Sequence, residues 1–346
     1  MTTILSAGDQ FVRPSQFSAA LASAIGERAD LDITELMLPW PLEPFGAVEN
    51  VLEASGTVDD LIDALQGVEI AVTQMAPFAG RVFEHCPDLR MIGVCRGGPV
   101  NVDLDAATVA GVIVTNAPGR NAQAAAEFAV GLMLAAMRHL PAVHEEMRDG
   151  IWRGDHYTYE NAGGELNGET VGLVGLGSIS RIVARILQAF GATVIATDPF
   201  AEPLEGVELV GLDELLRRSG IVSLHARLTP ETNQMIDADR LAQMRPGAIL
   251  INTARGGLLD HEPLPDLLAS GRLGGLALDV YDVEPPPADW PLLSAPNVVL
   301  TPHLAGATRK TADRAAAIVA DEVERFLTGK GCRFVVNPEV QERLVP

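Results

Sequence analysis

Residues 170–198 constrain the fold more than any other stretch. Thr170-Val171-Gly172-Leu173-Val174 is a short apolar run, followed by Gly175-Leu176-Gly177-Ser178-Ile179-Ser180. Ile182, Val183, Ile186, Leu187 and Phe190 then recur at helical spacing, and Gly191 suits the position just past a helix end. A second run, Thr193 to Thr197, closes on Asp198. Strand, glycine turn, helix, strand and acid in this order describe a dinucleotide-binding βαβ unit. The first glycine permits the tight turn, and the second lets backbone approach a pyrophosphate. The helix N-terminus faces the phosphates, and an acid about 20 residues on receives the ribose hydroxyls. Ser180 stands where a third glycine or alanine is usual, and it is small enough for the helix to pack on the strand. A carboxylate at Asp198 repels a 2′-phosphate, and the following Pro199 and Phe200 supply no guanidinium, so NAD is expected rather than NADP.

Three later segments share one pattern. Ala248 to Asn252 leads into Thr253-Ala254-Arg255-Gly256, Leu276 to Leu278 into Asp279 and on to Glu284-Pro285, and Val298 to Leu300 into Thr301-Pro302-His303. Each is an apolar run of the kind buried on both faces of a parallel sheet, with β-branched content in the first and third, and each turns polar at its carboxyl end. Ligands of open α/β sheets bind outside those ends. Arg255, Glu284 and His303 are therefore expected to converge. The set suits reduction of a 2-oxo acid. A cation stabilises charge building on the carbonyl oxygen, and a guanidinium fork also matches a carboxylate. A histidine delivers the proton, and a neighbouring carboxylate orients the ring and favours its charged form.

With these residues in view, the chain resembles the D-isomer-specific 2-hydroxyacid dehydrogenase family over nearly its whole length. The further matching segments are Arg96-Gly97-Gly98-Pro99-Val100-Asn101-Val102-Asp103 and Asn116-Ala117-Pro118-Gly119-Arg120-Asn121. The resemblance implies that Arg255 binds the substrate carboxylate and carbonyl oxygen, that His303 is the proton donor and acceptor, and that Glu284 hydrogen-bonds it. It implies that Asp279 holds the nicotinamide carboxamide and that backbone N–H groups near Gly97 and Gly98 hold the substrate carboxylate. The expected cofactor shell is Gly175, Gly177, Ser178, Ile179, Asp198, His225, Thr253, Ala254, Asp279, His303 and Gly306. The expected substrate shell is Arg96, Gly97, Gly98, Arg120 and Arg255. His225 ends the strand Ile221 to Leu224 and reads as a structural or cofactor-shell residue rather than an acid–base. His156 lies in an aromatic segment, Trp152 to Tyr159, that resembles an active-site rim. His85, His139, His144 and His261 read as ordinary helix or surface residues, and no cluster has metal-ligand spacing.

The expected fold class is α/β: a Rossmann-type nucleotide-binding domain plus a smaller flavodoxin-like α/β substrate domain, discontinuous in sequence. Strands near Thr3–Ser6, Glu69–Thr73 and Met91–Cys95 and a helix near Gln16–Gly26 carry the smaller domain. The helix Asn121–Arg138 is Ala-rich and apolar on most faces, hence buried, and the resemblance places it in a homodimer interface. The last helix, near Ala312–Leu327, has the stripe Ala316, Val319, Ala320, Val323 and Phe326 and is expected to return to the first domain. Residues 1–117 and 306–346 then form the substrate domain and 118–305 the nucleotide domain, with hinges near Pro118 and Ala305.

Among 346 residues the net charge is −21, which disfavours nucleic acid and anionic membrane as partners. An anionic substrate must then meet local cations, and Arg96, Arg120 and Arg255 are available. Cys86, Cys95 and Cys332 show no paired framework, which fits a reducing cytoplasm. No secretory signal and no 18-residue apolar span are read.

The substrate is the open question at this level. Many phosphoglycerate dehydrogenases carry an arginine after the strand near residue 73, where this chain reads Thr73-Gln74-Met75-Ala76-Pro77. Gln74 cannot pair with a phosphate as a guanidinium does, which counts against 3-phosphoglycerate. Formate dehydrogenases carry a glutamine in place of the acid, so Glu284 counts against formate. A polar, sugar-derived acid fits Gln74, Arg96, Arg120, His156 and Tyr157 as tail contacts. The alternatives are a corepressor-like NAD sensor and a non-catalytic NAD-binding dimer. A corepressor needs an exposed apolar groove on the first domain, and an enzyme needs a substrate-dependent rate.

Overall fold

The computed structural model of the protein describes residues 2–26 and 31–344. The chain divides into two compact units, Met1–Arg120 with Ala307–Pro346, and Asn121–Gly306. The boundaries fall a few residues beyond those expected, after Arg120 and after Gly306.

The first unit is built on a five-stranded parallel sheet. Its strands are β1 (Thr2–Gly8), β2 (Leu31–Met37), β3 (Ile70–Thr73), β4 (Met91–Val94) and β5 (Ile113–Thr115), in the order β2-β1-β3-β4-β5. That is the flavodoxin-like order. β3 and β4 are buried throughout, which is why they read as continuous apolar runs. β2 is the edge strand, half polar and only partly covered, so its sequence carries no such run. One face is covered by the helices Pro14–Ile25 and Arg309–Leu327, with Phe17 and Leu21 meeting Ala316, Val319 and Val323. The helix expected near Ala312–Leu327 does return to this unit, and it starts three residues earlier than expected because Thr308 Oγ1 accepts the Thr311 N–H at 3.1 Å; a shorter helix, Pro338–Leu344, follows it. It lies so close to the sheet that a Cβ at Gly93 would stand 2.5 Å from Val319 Cγ1. The other face carries the helices Val58–Ala64, Gly80–His85 and Leu104–Ala110 through Leu61, Val82 and Ala107.

The second unit holds a seven-stranded sheet: β6 (Thr170–Val174), β7 (Thr193–Thr197), β8 (Val207–Leu209), β9 (Ile221–Leu224), β10 (Ala248–Asn252), β11 (Leu273–Leu278) and β12 (Val298–Leu300). The order is β12-β11-β10-β9-β6-β7-β8, parallel throughout. The chain starts in the middle, winds outward to β8, then crosses back to β9. The switch point, where ligands of such sheets bind, lies between β6 and β9. The helices Ala122–Met137 and Ser178–Ala189 cover one face, and Leu212–Arg218, Ala238–Gln243 and Leu264–Ala269 cover the other. The helix Ala122–Met137 uses Ala126, Ala129, Val130, Met133, Ala136 and Met137 in the core of its own unit. The exposed apolar side chains come after it, on the helix Leu140–Arg148 and the following loop.

Candidate active site

At the switch point the glycine turn is shaped by two separate constraints. Gly175 has φ +95°, and a Cβ there would meet Ala226 N at 2.8 Å and the His225 carbonyl carbon at 2.9 Å. Both the backbone conformation and the approach of the chain leaving β9 exclude a side chain. Gly177 is different: it begins the helix Ser178–Ala189, and a Cβ there would meet nothing within 4 Å. No side chain caps this helix start, so the first-turn N–H groups of Ser178 and Ile179 face an open space suited to an anion. Ser180 is buried and donates to Gly177 O at 3.2 Å, so the departure from glycine folds back on the turn. Asp198 Oδ2 accepts from Leu176 N at 2.8 Å and Oδ1 from Phe200 N at 2.9 Å. These bonds fix the carboxylate while each oxygen retains a lone pair for a ribose hydroxyl. Thr253 Oγ1 is buried without a partner, a second feature that fits a missing polar ligand. The residues present therefore fit a dinucleotide.

The polar ends of β10, β11 and β12 come together in the same unit. Asn252, fully buried, donates from Nδ2 to Arg255 O at 2.8 Å and accepts from Ala254 N at 3.0 Å. This shapes the turn that carries Arg255, whose side chain is exposed and donates to Ala254 O at 2.6 Å. Gly256 lies flush against the β11 loop: a Cβ there would meet the Tyr281 carbonyl carbon at 2.1 Å. Asp279 is fully buried and accepts from Thr301 Oγ1 at 2.6 Å, Leu304 N at 2.8 Å and Ala305 N at 2.8 Å. It holds the loop that carries His303, whose backbone sits at φ +55°, a conformation uncommon for a side chain larger than glycine and frequent at functional sites. Gly306 closes this loop, where a Cβ would stand 2.8 Å from Asn121 Nδ2.

His303 Nδ1 and Glu284 Oε2 are 2.8 Å apart, and the other oxygen of Glu284 accepts from Tyr281 N at 3.1 Å. The Glu284 hydrogen bond raises the His303 pKa above its ordinary value, against the pull of burial and of the nearby Arg255 charge. For Glu284, burial pushes upward, but the His303 hydrogen bond and charge, the Tyr281 N–H and Arg255 together bring the carboxyl below its usual range. With Nδ1 engaged, Nε2 is the nitrogen left to exchange a proton with a ligand. His225 is the opposite case. Burial pushes its pKa down to about 4, and its one side-chain hydrogen-bond contact among the described residues is Ser223 Oγ at 3.0 Å. It is neutral at pH 7.

The candidates of the first unit stand at the carboxyl ends of its strands. Arg96, just past β4, donates to Glu53 Oε2 at 2.8 Å and lies 2.6 Å from Met75 Sδ. Its charge is engaged by a residue whose distance in sequence hid the pairing. Gly97 and Gly98 are exposed, and a Cβ at either would meet nothing within 4 Å. Arg120 has its Nε buried without a partner, and burial lowers its pKa. Gln74 is buried with Oε1 unpartnered.

In the second unit, His156 pairs with Glu146 at 2.6 Å, and Tyr157 is 95% exposed. His261, expected as an ordinary helix or surface residue, is buried and hydrogen-bonded to Asp282 at 2.8 Å. No group of histidine, cysteine, aspartate and glutamate able to hold a metal occurs among the described residues.

The profile of the D-isomer-specific 2-hydroxyacid dehydrogenase NAD-binding domain matches residues 130–305. The chain belongs to this family. Its second unit is the family's NAD-binding domain. It is 40% identical over 284 residues to a D-3-phosphoglycerate dehydrogenase of Mycobacterium tuberculosis, covering 81% of this chain and 53% of the relative. The chain thus spans about half the length of the phosphoglycerate dehydrogenases it matches. It is 36% identical over 322 residues to a glyoxylate reductase of Korarchaeum cryptofilum, covering 92% of both. Among solved structures it is similar to the NAD-complexed D-isomer-specific 2-hydroxyacid dehydrogenase of Lactobacillus delbrueckii ssp. bulgaricus. There the TM-score is 0.79 with 26% identity, over 97% of this chain and 100% of the other. Among the described residues no single helix is long and apolar enough to cross a membrane.

Proposed function

We propose that this chain is an NAD-dependent oxidoreductase that interconverts a small D-2-hydroxy acid and its 2-oxo acid. The observation that carries the proposal is the 2.8 Å contact between His303 Nδ1 and Glu284 Oε2, next to the Arg255 charge at the carboxyl ends of the sheet. Bound NAD supplies or accepts the hydride. Arg255 stabilises charge on the carbonyl oxygen and pairs with the carboxylate. His303 gives a proton to that oxygen from Nε2 in reduction and takes it back in oxidation. Glu284 fixes the ring and favours its protonated form. Gly175, Gly177, Ser178, Ile179 and Asp198 are assigned to the pyrophosphate and ribose, with His225, Thr253, Ala254 and Gly306 beside them. Asp279, fully buried, is assigned to the nicotinamide end through the loop that it fixes. Gly97 and Gly98 offer open backbone N–H groups for a carboxylate, and Arg96 and Arg120 remain the cations of the first unit.

The substrate we favour is a polar, unphosphorylated acid. Gln74 is neutral, and Arg96 is already paired with Glu53 at 2.8 Å. We further propose a homodimer through the helix near Asn121–Arg138, extended by the segment that follows it. Its support is apolar exposure: Leu140 50%, Met147 53%, Trp152 83% and Tyr159 94%.

The test is NADH oxidation by the purified protein with glyoxylate, hydroxypyruvate, pyruvate, phosphohydroxypyruvate and longer sugar-derived 2-oxo acids. The proposal predicts a rate with a hydroxylated acid that exceeds the phosphorylated one by about tenfold or more. A preference for phosphohydroxypyruvate overturns the substrate reading. NADH binding with no rate across the panel overturns the enzyme reading.

A further inference from the structure

The site holds a second histidine–carboxylate contact. His261 Nδ1 lies 2.8 Å from Asp282 Oδ2, and the His261 side chain is 8% exposed. We propose that His261 and Asp282 are positioning residues that hold the loop carrying Glu284 in place against His303. The inference rests on the acid–base role proposed above for His303 and Glu284.

The connections run without a gap. His261 follows the segment that begins at Arg255, six residues along the chain. Asp282 belongs to the turn that ends at Glu284. The His261–Asp282 bond therefore links the segment bearing the arginine to the segment bearing the acid. Gly256 makes the same junction in backbone: a Cβ there would stand 2.1 Å from the Tyr281 carbonyl carbon and 2.4 Å from Asp282 N. Tyr281 then spreads the constraint in two directions. Its N–H donates to Glu284 Oε1 at 3.1 Å, and its hydroxyl donates to Thr301 O at 2.9 Å, two residues before His303. Trp290 packs edge-on against both rings, with centroids 5.8 Å from His261 and 5.6 Å from Tyr281.

The alternative role for His261 is plain core packing. Its Nε2 is buried without a partner, so Asp282 is the one polar group that its side chain meets among the described residues. A ring needed only for volume would be served by phenylalanine, and burying an unpartnered nitrogen has a cost. Neither His261 nor Asp282 touches Arg255, Glu284 or His303 by a side-chain hydrogen bond. Their effect must pass through the turn of residues 281–284. Loosening that turn lengthens the contact of Glu284 with His303, and the imidazole loses the partner that favours its charged form.

The test uses His261→Phe, which keeps a ring against Trp290, together with Asp282→Ala and Asp282→Asn, which keeps an acceptor for His261. Two readouts are taken on the full chain: the titration midpoint of the His303 imidazole by NMR without ligand, and the pH dependence of kcat/KM for 2-oxo acid reduction. His261→Phe and Asp282→Ala should each lower the His303 midpoint by about half to one unit toward the ordinary histidine value. The alkaline limb of the profile should move with it, while the Kd for NADH stays unchanged. Asp282→Asn should restore most of the midpoint, and the double variant should go no further than either single one. Midpoints that superpose on the wild type, with only a lower Tm, overturn the inference. The acid–base reading fails separately, through a His303→Ala protein that retains its rate. The NMR midpoint reports on the positioning role in either case.

Discussion

His225 and His303 occupy equivalent places on one sheet, each just past the carboxyl end of a strand, and the protein gives them opposite chemistry. His225 follows β9 at the switch point. It has no carboxylate partner among the described residues, and burial holds it neutral down to about pH 4. His303 follows β12 with its side chain 51% exposed, and Glu284 at 2.8 Å raises its proton affinity. A strand end supplies location. The neighbours decide whether a histidine there titrates in the working range or serves as a neutral wall. The same contrast divides the arginines: Arg255 keeps an exposed fork, whereas Arg96 is held by Glu53.

The largest test of this contrast is removal of each ring. His303→Ala should lower kcat for 2-oxo acid reduction by roughly 10²- to 10⁴-fold, the usual worth of a positioned general acid, with NADH binding retained in a fluorescence titration. A loss under about threefold would show that proton delivery comes from elsewhere. Asp198→Ala is next. It should reduce the preference for NADH over NADPH by about tenfold, equivalent to ~1.4 kcal/mol, by removing the carboxylate that repels a 2′-phosphate. An unchanged ratio of kcat/KM values would move selectivity away from Asp198. The smallest effect belongs to His225→Gln, which should leave the pH profile in place and change kcat by less than about threefold, because a neutral imidazole moves no proton. A displaced profile would erase the distinction between the two histidines.

The parts legible in the sequence were those with a single local cause. β6, β9 and β10 are buried on both faces, so their apolar runs give their positions, and the Gly175-to-Asp198 spacing gives the cofactor crevice. β2 and β8 were not legible. Both are edge strands, half polar, with one side unpaired within their own sheets. In the site, Arg255, Glu284 and His303 were legible because each directly follows or lies near a readable strand end. The Glu53–Arg96 and His261–Asp282 bonds were not, since their partners lie 43 and 21 residues apart and no periodicity links them. Asn252 ends a readable strand and Tyr281 lies between Asp279 and Glu284, yet their work is hydrogen bonding to backbone, which a residue pattern does not display.

The pH dependence of kcat/KM for 2-oxo acid reduction, in wild type and Glu284→Gln, tests the central claim most directly. Reduction needs His303 protonated, so the wild-type rate should fall as pH rises through a midpoint above the ordinary 6.5. In Glu284→Gln the partner charge is gone, so the same limb should shift to lower pH. A wild-type profile flat across that range, or a limb that Glu284→Gln leaves in place, would contradict the assignment of His303 and Glu284 as the acid–base pair.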